Sequence, residues 1–192
     1  NTLTPMKFKN KNVIAVDIGA NVGSFCCYAS SCFDTIYAFE AAYNTYNIAK
    51  ENTSHLNNIQ LFHQAVAAKD NEVVKLYAPS SALSGDTSVF NINTSTNTSA
   101  EETKSISLEG ICQEHDLKYI DYLKVDCEGS EYDFLMGKDL SKINYMVVEI
   151  HPGYMGIEKT NELRSHFDKY FALNYTIGEH ILFYRAWPHH HA

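Results

Sequence analysis

The chain is short of several things, and each shortage removes a class of function. No apolar run approaches the ~20 residues that cross a bilayer, so no membrane association is expected. Residues 1–12 lack the apolar core of a secretory signal, and the expected compartment is the cytoplasm. Cationic side chains are few: 15 Lys and Arg face 23 Asp and Glu, for a net charge of −8. The lysines are scattered singly, whereas nucleic-acid phosphates demand a basic footprint, so no nucleic-acid partner is expected. The five cysteines (Cys26, Cys27, Cys32, Cys112, Cys127) contain no C-x-x-C pair. A zinc site is therefore not expected, and small buried thiols in a reducing compartment account for them. Asn-x-Ser/Thr triplets at Asn52, Asn93, Asn97 and Asn174 read as chance in a chain rich in Asn, Ser and Thr.

What is present has the proportions of a globular protein, 45% hydrophobic and 20% charged over 192 residues. One domain is expected, with a tail at 187–192 whose histidines are a tag remnant or native. The chain is organised around Val13-Ile14-Ala15-Val16-Asp17-Ile18-Gly19-Ala20-Asn21-Val22-Gly23. The apolar, β-branched run reads as a strand buried on both faces. It breaks at Gly19 and Gly23, and an amphipathic helix follows, as in the first half of a mononucleotide-binding βαβ unit. Glycines there let a ligand lie against backbone N–H groups at the helix start. Glu40 ends the next apolar run, where such folds grip the hydroxyls of a ribose. The spacing lacks the middle glycine of the dinucleotide fingerprint, and Asp17 precedes the turn. An anion there suits a cationic ligand better than a diphosphate, and S-adenosylmethionine, with its ammonium and sulfonium, meets that requirement.

Downstream, residues 44–52 read as a helix with Tyr43, Tyr46 and Ala49 toward the sheet. A third strand from Ile59 runs on through Gln64-Ala65-Val66. Gln64 and Ala65 lie where the adenine edge and face are met in doubly wound sheets. Residues 72–77 alternate like a strand. Residues 80–105 are polar and of low complexity, and read either as a flexible flap over the acceptor or as plain disorder. A short helix over 107–114, a fourth strand ending at Asp126, and a turn at Cys127-Glu128-Gly129 come next. Ser130 with Asp133 suggests a capping box. A fifth strand ends in Glu149 and His151. Leu163, His166, Phe167 and Tyr170 mark one helix face, with His166 a packed residue. The chain closes in a β-hairpin through Gly178-Glu179.

The blocks Val16-Asp17-Ile18-Gly19-Ala20-Asn21-Val22-Gly23, Ala38-Phe39-Glu40, Lys124-Val125-Asp126-Cys127-Glu128-Gly129-Ser130-Glu131 and Val148-Glu149-Ile150 resemble the FkbM family of SAM-dependent methyltransferases. The resemblance runs from about Val13 to Arg185. It implies an α/β, doubly wound Rossmann-like class I methyltransferase sheet. That sheet is mostly parallel, with helices on both faces and a C-terminal antiparallel hairpin, one antiparallel strand being tucked at the edge. The implied activity is O-methylation of a hydroxyl on a sugar or other small-molecule natural product. Ala41 stands where the family usually has Pro, and little precedes the first strand.

The expected cofactor-binding residues are Asp17, Gly19, Asn21, Gly23, Phe39, Glu40, Ala41, Gln64, Ala65 and Asp126. Asp126 is placed at the methionine end, His151 as candidate base, and Glu128 as acceptor anchor or helix-start carboxylate. His151 before Pro152 reads equally as a structural turn residue. Metal-free catalysis is expected. The alternative is a non-catalytic SAM- or nucleoside-binding module of a larger assembly. A dehydrogenase is opposed by the glycine spacing and by the lack of a Tyr-x-x-x-Lys pair.

Overall fold

The computed structural model describes residues 12–79, 97–178 and 180–186. The first eleven residues, positions 80–96 of the expected flap, Glu179 and the tail lie outside them. Five strands are joined by parallel pairing: β1 (Ile14–Ile18), β2 (Thr35–Glu40), β3 (Ile59–His63), β7 (Ile120–Val125) and β8 (Ile143–Glu149). With β9 (Phe171–Ile177) and β10 (Ile181–Ala186) they form a sheet of order β3-β2-β1-β7-β8-β10-β9. The order reverses between β1 and β7, and ligands of open α/β sheets bind beyond the carboxyl ends of the strands at such a switch point.

The antiparallel strand is β10, which pairs with β8 on one side and β9 on the other. It is therefore the penultimate strand, and β9 takes the edge. Burial explains the swap: Leu182, Phe183 and Tyr184 of β10 are buried, whereas Tyr175 and Ile177 of β9 are exposed.

Both sheet faces carry helices. On one, α3 (Leu108–Glu114), α4 (Glu131–Leu135) and α6 (Ile157–Phe167) press Ile111, Phe134, Leu163 and Phe167 onto Val16, Leu123, Met146 and Val148. Burying each such aliphatic or aromatic side chain stabilises the fold by about 1.5–3 kcal/mol. On the other face α1 (Ser24–Ala29) sets Cys26 and Ala29 against Ala15, Ile36, Ala38 and Tyr122. His166 is packed as expected, its Nε2 2.9 Å from the Lys138 carbonyl, and burial lowers its pKa.

Several expectations need correcting. In α2 (Tyr43–Thr53) the buried side chains are Ala49 and Thr53, while Tyr43 is exposed and meets the His63 ring edge-on. All five cysteines are unpaired, but Cys27 and Cys32 are exposed, because α1 turns only Cys26 to the sheet. The third strand stops at His63. After Gln64, β4 (Ala65–Val66) joins a second sheet of order β4-β6-β5, with β5 (Val73–Pro79) and β6 (Asn97–Ile106). Residues 97–105, read as loop, are thus strand. The period-2 signal is present but carried by Thr103 and Ser105, which are buried although polar. A search for apolar alternation passes over them.

Candidate active site

The sheet register brings the carboxyl ends of β1, β2, β3 and β7 together: Ile18 pairs with Phe39 and Val125, and Glu40 with His63. A cleft opens above them, lined by Gly19, Asn21, Phe39, Glu40, Ala41, Gln64, Ala65, Asp126 and Glu128 among the expected residues. Thr45 and Leu76, which the sequence did not single out, also line it, as does Ser130, expected only as a helix cap.

The glycine turn does not offer its N–H groups to this cleft. Gly19 and Ala20 both donate to the Phe39 carbonyl at 3.0 Å, and Gly23 donates to that of Ala20 at 2.9 Å. Asn21 N–H donates to Glu40 Oε2 at 2.9 Å, and Val22 N–H to Asn21 Oδ1 at 2.7 Å. Gly19 is glycine for another reason. Its φ is +75°, and a Cβ there would sit 1.8 Å from the Asp126 carbonyl oxygen, so the turn is where β7 abuts β1. Gly23 faces Thr53 and Ala49, and serves the approach of α1 to α2 rather than the cleft.

Glu40 braces the turn from the other side. Its Oε1 accepts from Ala42 N–H at 2.8 Å, so each carboxylate oxygen has one backbone donor and a further lone-pair direction. Burial pushes its carboxyl above the usual range, against the pull of those two donors.

Asp17 departs from its expected place. It is fully buried and does not line the cleft; its Oδ1 lies 3.2 Å from Lys124 Nζ, and Cys26 Sγ lies 3.4 Å from its Oδ2. Lys124 also donates to the Gly19 carbonyl at 2.6 Å and stands 3.8 Å from Asp126 Oδ2. Burial works against its charge, but Asp17 and then Asp126 outweigh it and hold its pKa above the ordinary value. Lys124 thus ties the glycine turn to the end of β7, a role that sequence reading missed.

The β7–α4 turn is built around a second missed residue, Glu131. Wholly buried, it accepts at Oε1 from Cys127 N–H (3.3 Å), Gly129 N–H (3.1 Å) and His151 Nδ1 (3.0 Å). The carboxylate can only accept, so the proton is on Nδ1. The expected capping box does not form: Ser130 Oγ donates to the Cys127 carbonyl at 3.1 Å and makes no cap bond. Glu131 satisfies the turn instead. The turn holds Glu128 at φ +51°, a left-handed conformation that costs a non-glycine residue about 1–2 kcal/mol. His151 lies two residues past the end of β8 and caps the start of α5 (Pro152–Met155), with Nε2 3.5 Å from Glu128 Oε2. Burial opposes its protonation, yet the hydrogen bond and charge of Glu131, then Glu128 and Asp126, raise its pKa above the usual value.

Asp126, Glu128 and His151 each bring one ligand atom to within 4.8 Å of the others. That grouping admits a divalent cation and equally serves proton transfer without one. His151 does not line this cleft but stands beside Asp126, which does. Among the residues lining the cleft there is no Lys or Arg, and three are carboxylates, Glu40, Asp126 and Glu128. That set fits a cofactor that is cationic and free of phosphate, as S-adenosylmethionine is. Among the described residues no helix is long and apolar enough to cross a membrane.

Comparison with solved structures places the fold among class I SAM methyltransferases. M. capricolum TrmK in complex with S-adenosylhomocysteine is 14% identical, with 96% of this chain and 65% of that chain covered and a TM-score of 0.48. This chain therefore spans just under two thirds of that protein. A Streptococcus thermophilus rRNA methylase is 10% identical over 92% of this chain and 88% of its own, with a TM-score of 0.51. A Streptococcus mutans protein assigned as a methyltransferase, in complex with S-adenosylhomocysteine, is 10% identical over 93% and 90%, with a TM-score of 0.52. A comparison with curated proteins returned no match. The methyltransferase FkbM domain matches residues 17–177, from the buried Asp17 to the end of β9, and the chain belongs to that family, whose cofactor is S-adenosylmethionine.

Proposed function

We propose that this chain transfers a methyl group from S-adenosylmethionine to a hydroxyl of a sugar or other small-molecule natural product. The observation that carries the reading is the pairing of His151 with buried Glu131 beside Asp126, where the cofactor cleft ends. Glu40 and Asn21 would hold the ribose, Gln64 and Ala65 the adenine, and Asp126 the methionine end. When bound, S-adenosylmethionine supplies a methyl activated by its sulfonium, so that the C–S bond breaks as the C–O bond forms and S-adenosylhomocysteine leaves as a neutral thioether.

The protein's part is placement and proton handling. An alcohol keeps its proton at neutral pH, and His151 Nε2 takes it as the new bond forms. Glu131 fixes the tautomer that leaves Nε2 an acceptor and stabilises the imidazolium that results. Glu128 anchors the acceptor on the far side of that nitrogen. The net charge of −8 supports a neutral or cationic acceptor over RNA. The rRNA methylase is similar in fold alone at 10% identity.

Calorimetric titration with S-adenosylhomocysteine tests the cofactor half, with NAD as control and Glu40→Ala beside the wild type. Micromolar binding that Glu40→Ala weakens more than tenfold, and no binding of NAD, is expected. Labelled methyl transfer to a panel of hydroxyl compounds tests the other half. Binding with no turnover of any acceptor would mark a non-catalytic module instead.

A further inference from the structure

A second cleft lies on the sheet face opposite α4 and α6. Its walls are Phe25 and Tyr28 of α1, Tyr122 of β7, Val147 of β8 and Phe183 of β10. Phe25 and Tyr122 lie parallel, with centroids 5.8 Å apart and planes inclined by 10°. Phe183 is backed by Tyr175, stacked on it at 4.2 Å and 13°. Polar groups gather at one end, where Asp126 and Glu149 stand with Lys124. Asp126 also lines the cofactor cleft, so the two cavities meet at that residue, beside His151.

We infer that this cleft is the acceptor subsite, and that it takes a single-ring phenol whose ring lies among the aromatic walls and whose hydroxyl is presented at the Asp126 end. The inference rests on the O-methyl transfer reading and narrows it. Three observations carry it. The shared Asp126 sets the cleft against the cofactor site, the neighbourhood that methyl transfer requires of an acceptor. The cleft holds about 220 Å³, and an apolar cavity of roughly 150 Å³ accepts benzene, so one substituted ring fits. Away from the polar end and the two tyrosine hydroxyls the walls offer aromatic faces, Val147 and Ile181, so a hexose lying along them would leave hydroxyls unpaired. Each such hydroxyl weakens binding by roughly tenfold or more, whereas a phenol buries its apolar ring and keeps its one hydroxyl at the polar end.

The test uses the whole chain saturated with S-adenosylhomocysteine, titrated with 4-ethylphenol or with methyl β-glucoside and followed by ligand-observed NMR. Methyl transfer from labelled S-adenosylmethionine to the same two compounds is measured in parallel. The phenol is expected to bind and be methylated, the glucoside to do neither. Tyr28→Ala, at a side chain 59% exposed and so no threat to folding, should weaken phenol binding about tenfold while leaving S-adenosylhomocysteine affinity unchanged. Methylation of the glucoside without the phenol would overturn the phenol subsite and keep the O-methyltransferase reading. Cofactor binding with no phenol binding would overturn it too, as would a phenol affinity that Tyr28→Ala leaves alone. Loss of cofactor binding in the wild type would bring down both.

Discussion

Replacing Glu131 by Gln isolates the charge in the His151 pair from its geometry. All three donors, Cys127 N–H, Gly129 N–H and His151 Nδ1, converge on Oε1, while Oε2 is buried without a hydrogen-bond partner among the described groups. An amide can set its carbonyl where Oε1 now sits and keep the three contacts, with its NH2 in the place of the unpartnered oxygen. What disappears is the negative charge facing the imidazole. A hydrogen bond to a charged group contributes about 1.5–3 kcal/mol and a neutral one about 0.5–1.5, so roughly 1–2 kcal/mol of imidazolium stabilisation is lost. At 1.36 kcal/mol per decade that is about 5–30-fold in kcat.

The pH profile carries a second signature of the same change. His151 has a raised pKa, with burial opposing protonation and Glu131 leading the groups that favour it. The base works when neutral, so the rate rises with pH through that pKa, and Glu131→Gln moves the rising limb to lower pH. Stability follows with the opposite sense. A raised histidine pKa stabilises the fold fully below the unfolded value of about 6.5 and ceases to do so as pH passes the folded one. The wild type should therefore gain stability on acidification to about pH 6, and the variant should gain less. Initial rates from pH 5 to 9 and urea unfolding at both ends of that range read these effects. A variant with wild-type kcat and an unmoved limb would refute the pairing of Glu131 with a His151 base.

Three further outcomes follow from the same geometry. Gly19→Ala should destabilise by about 2–5 kcal/mol, combining the cost of a left-handed non-glycine residue with overpacking against Asp126; urea unfolding measures it, and a loss under 1 kcal/mol would mean the β1–β7 contact is slack. Lys124→Met should cost about 3–5 kcal/mol by leaving Asp17 charged and buried, and adding Asp17→Asn should restore most of it. If the single and double variants unfold at the same denaturant concentration, the ion pair is not what Lys124 supplies. Exhaustive chelation should leave methyl transfer unchanged; a rate lost to EDTA and recovered with Mg²⁺ would assign Asp126, Glu128 and His151 to a cation instead.

The frame was legible because its signals are local. A β-branched run before Gly19, the acid closing β2 and the i, i+3, i+4 spacing of Leu163, His166 and Phe167 on α6 each report a buried face within a few residues. The parts that stayed hidden depend on distant partners. Asp17 looks like a ligand-facing anion until Lys124, 107 positions later in the chain, is seen opposite it. The turn's N–H groups look available until Phe39 and Glu40 are brought alongside by β-pairing. Glu131 was visible as an acid in the first turn of a helix, a position that ordinarily signals the helix dipole. Nothing nearby in sequence says that it reaches back to Cys127 and across to His151. Strand β6 was hidden for a different reason: of its buried side chains Thr103 and Ser105 are polar, and the apolar Ile106 stands only at its last position.

The sealed glycine turn has a bearing on competition inside a cell. ATP carries the same adenosine as S-adenosylmethionine, with a triphosphate where the cofactor has its sulfonium. An adenosine-binding fold that kept free amides at the helix start would fill with it. Here the amides of the turn leading into α1, from Gly19 to Gly23, are spent on Phe39, Ala20, Asn21 and Glu40, and the cleft walls carry carboxylates that repel a triphosphate. Selectivity between two ligands is a difference of affinities, and it can be gained by making the wrong one unwelcome. The amides that brace the sheet are thus amides that a phosphate cannot also engage.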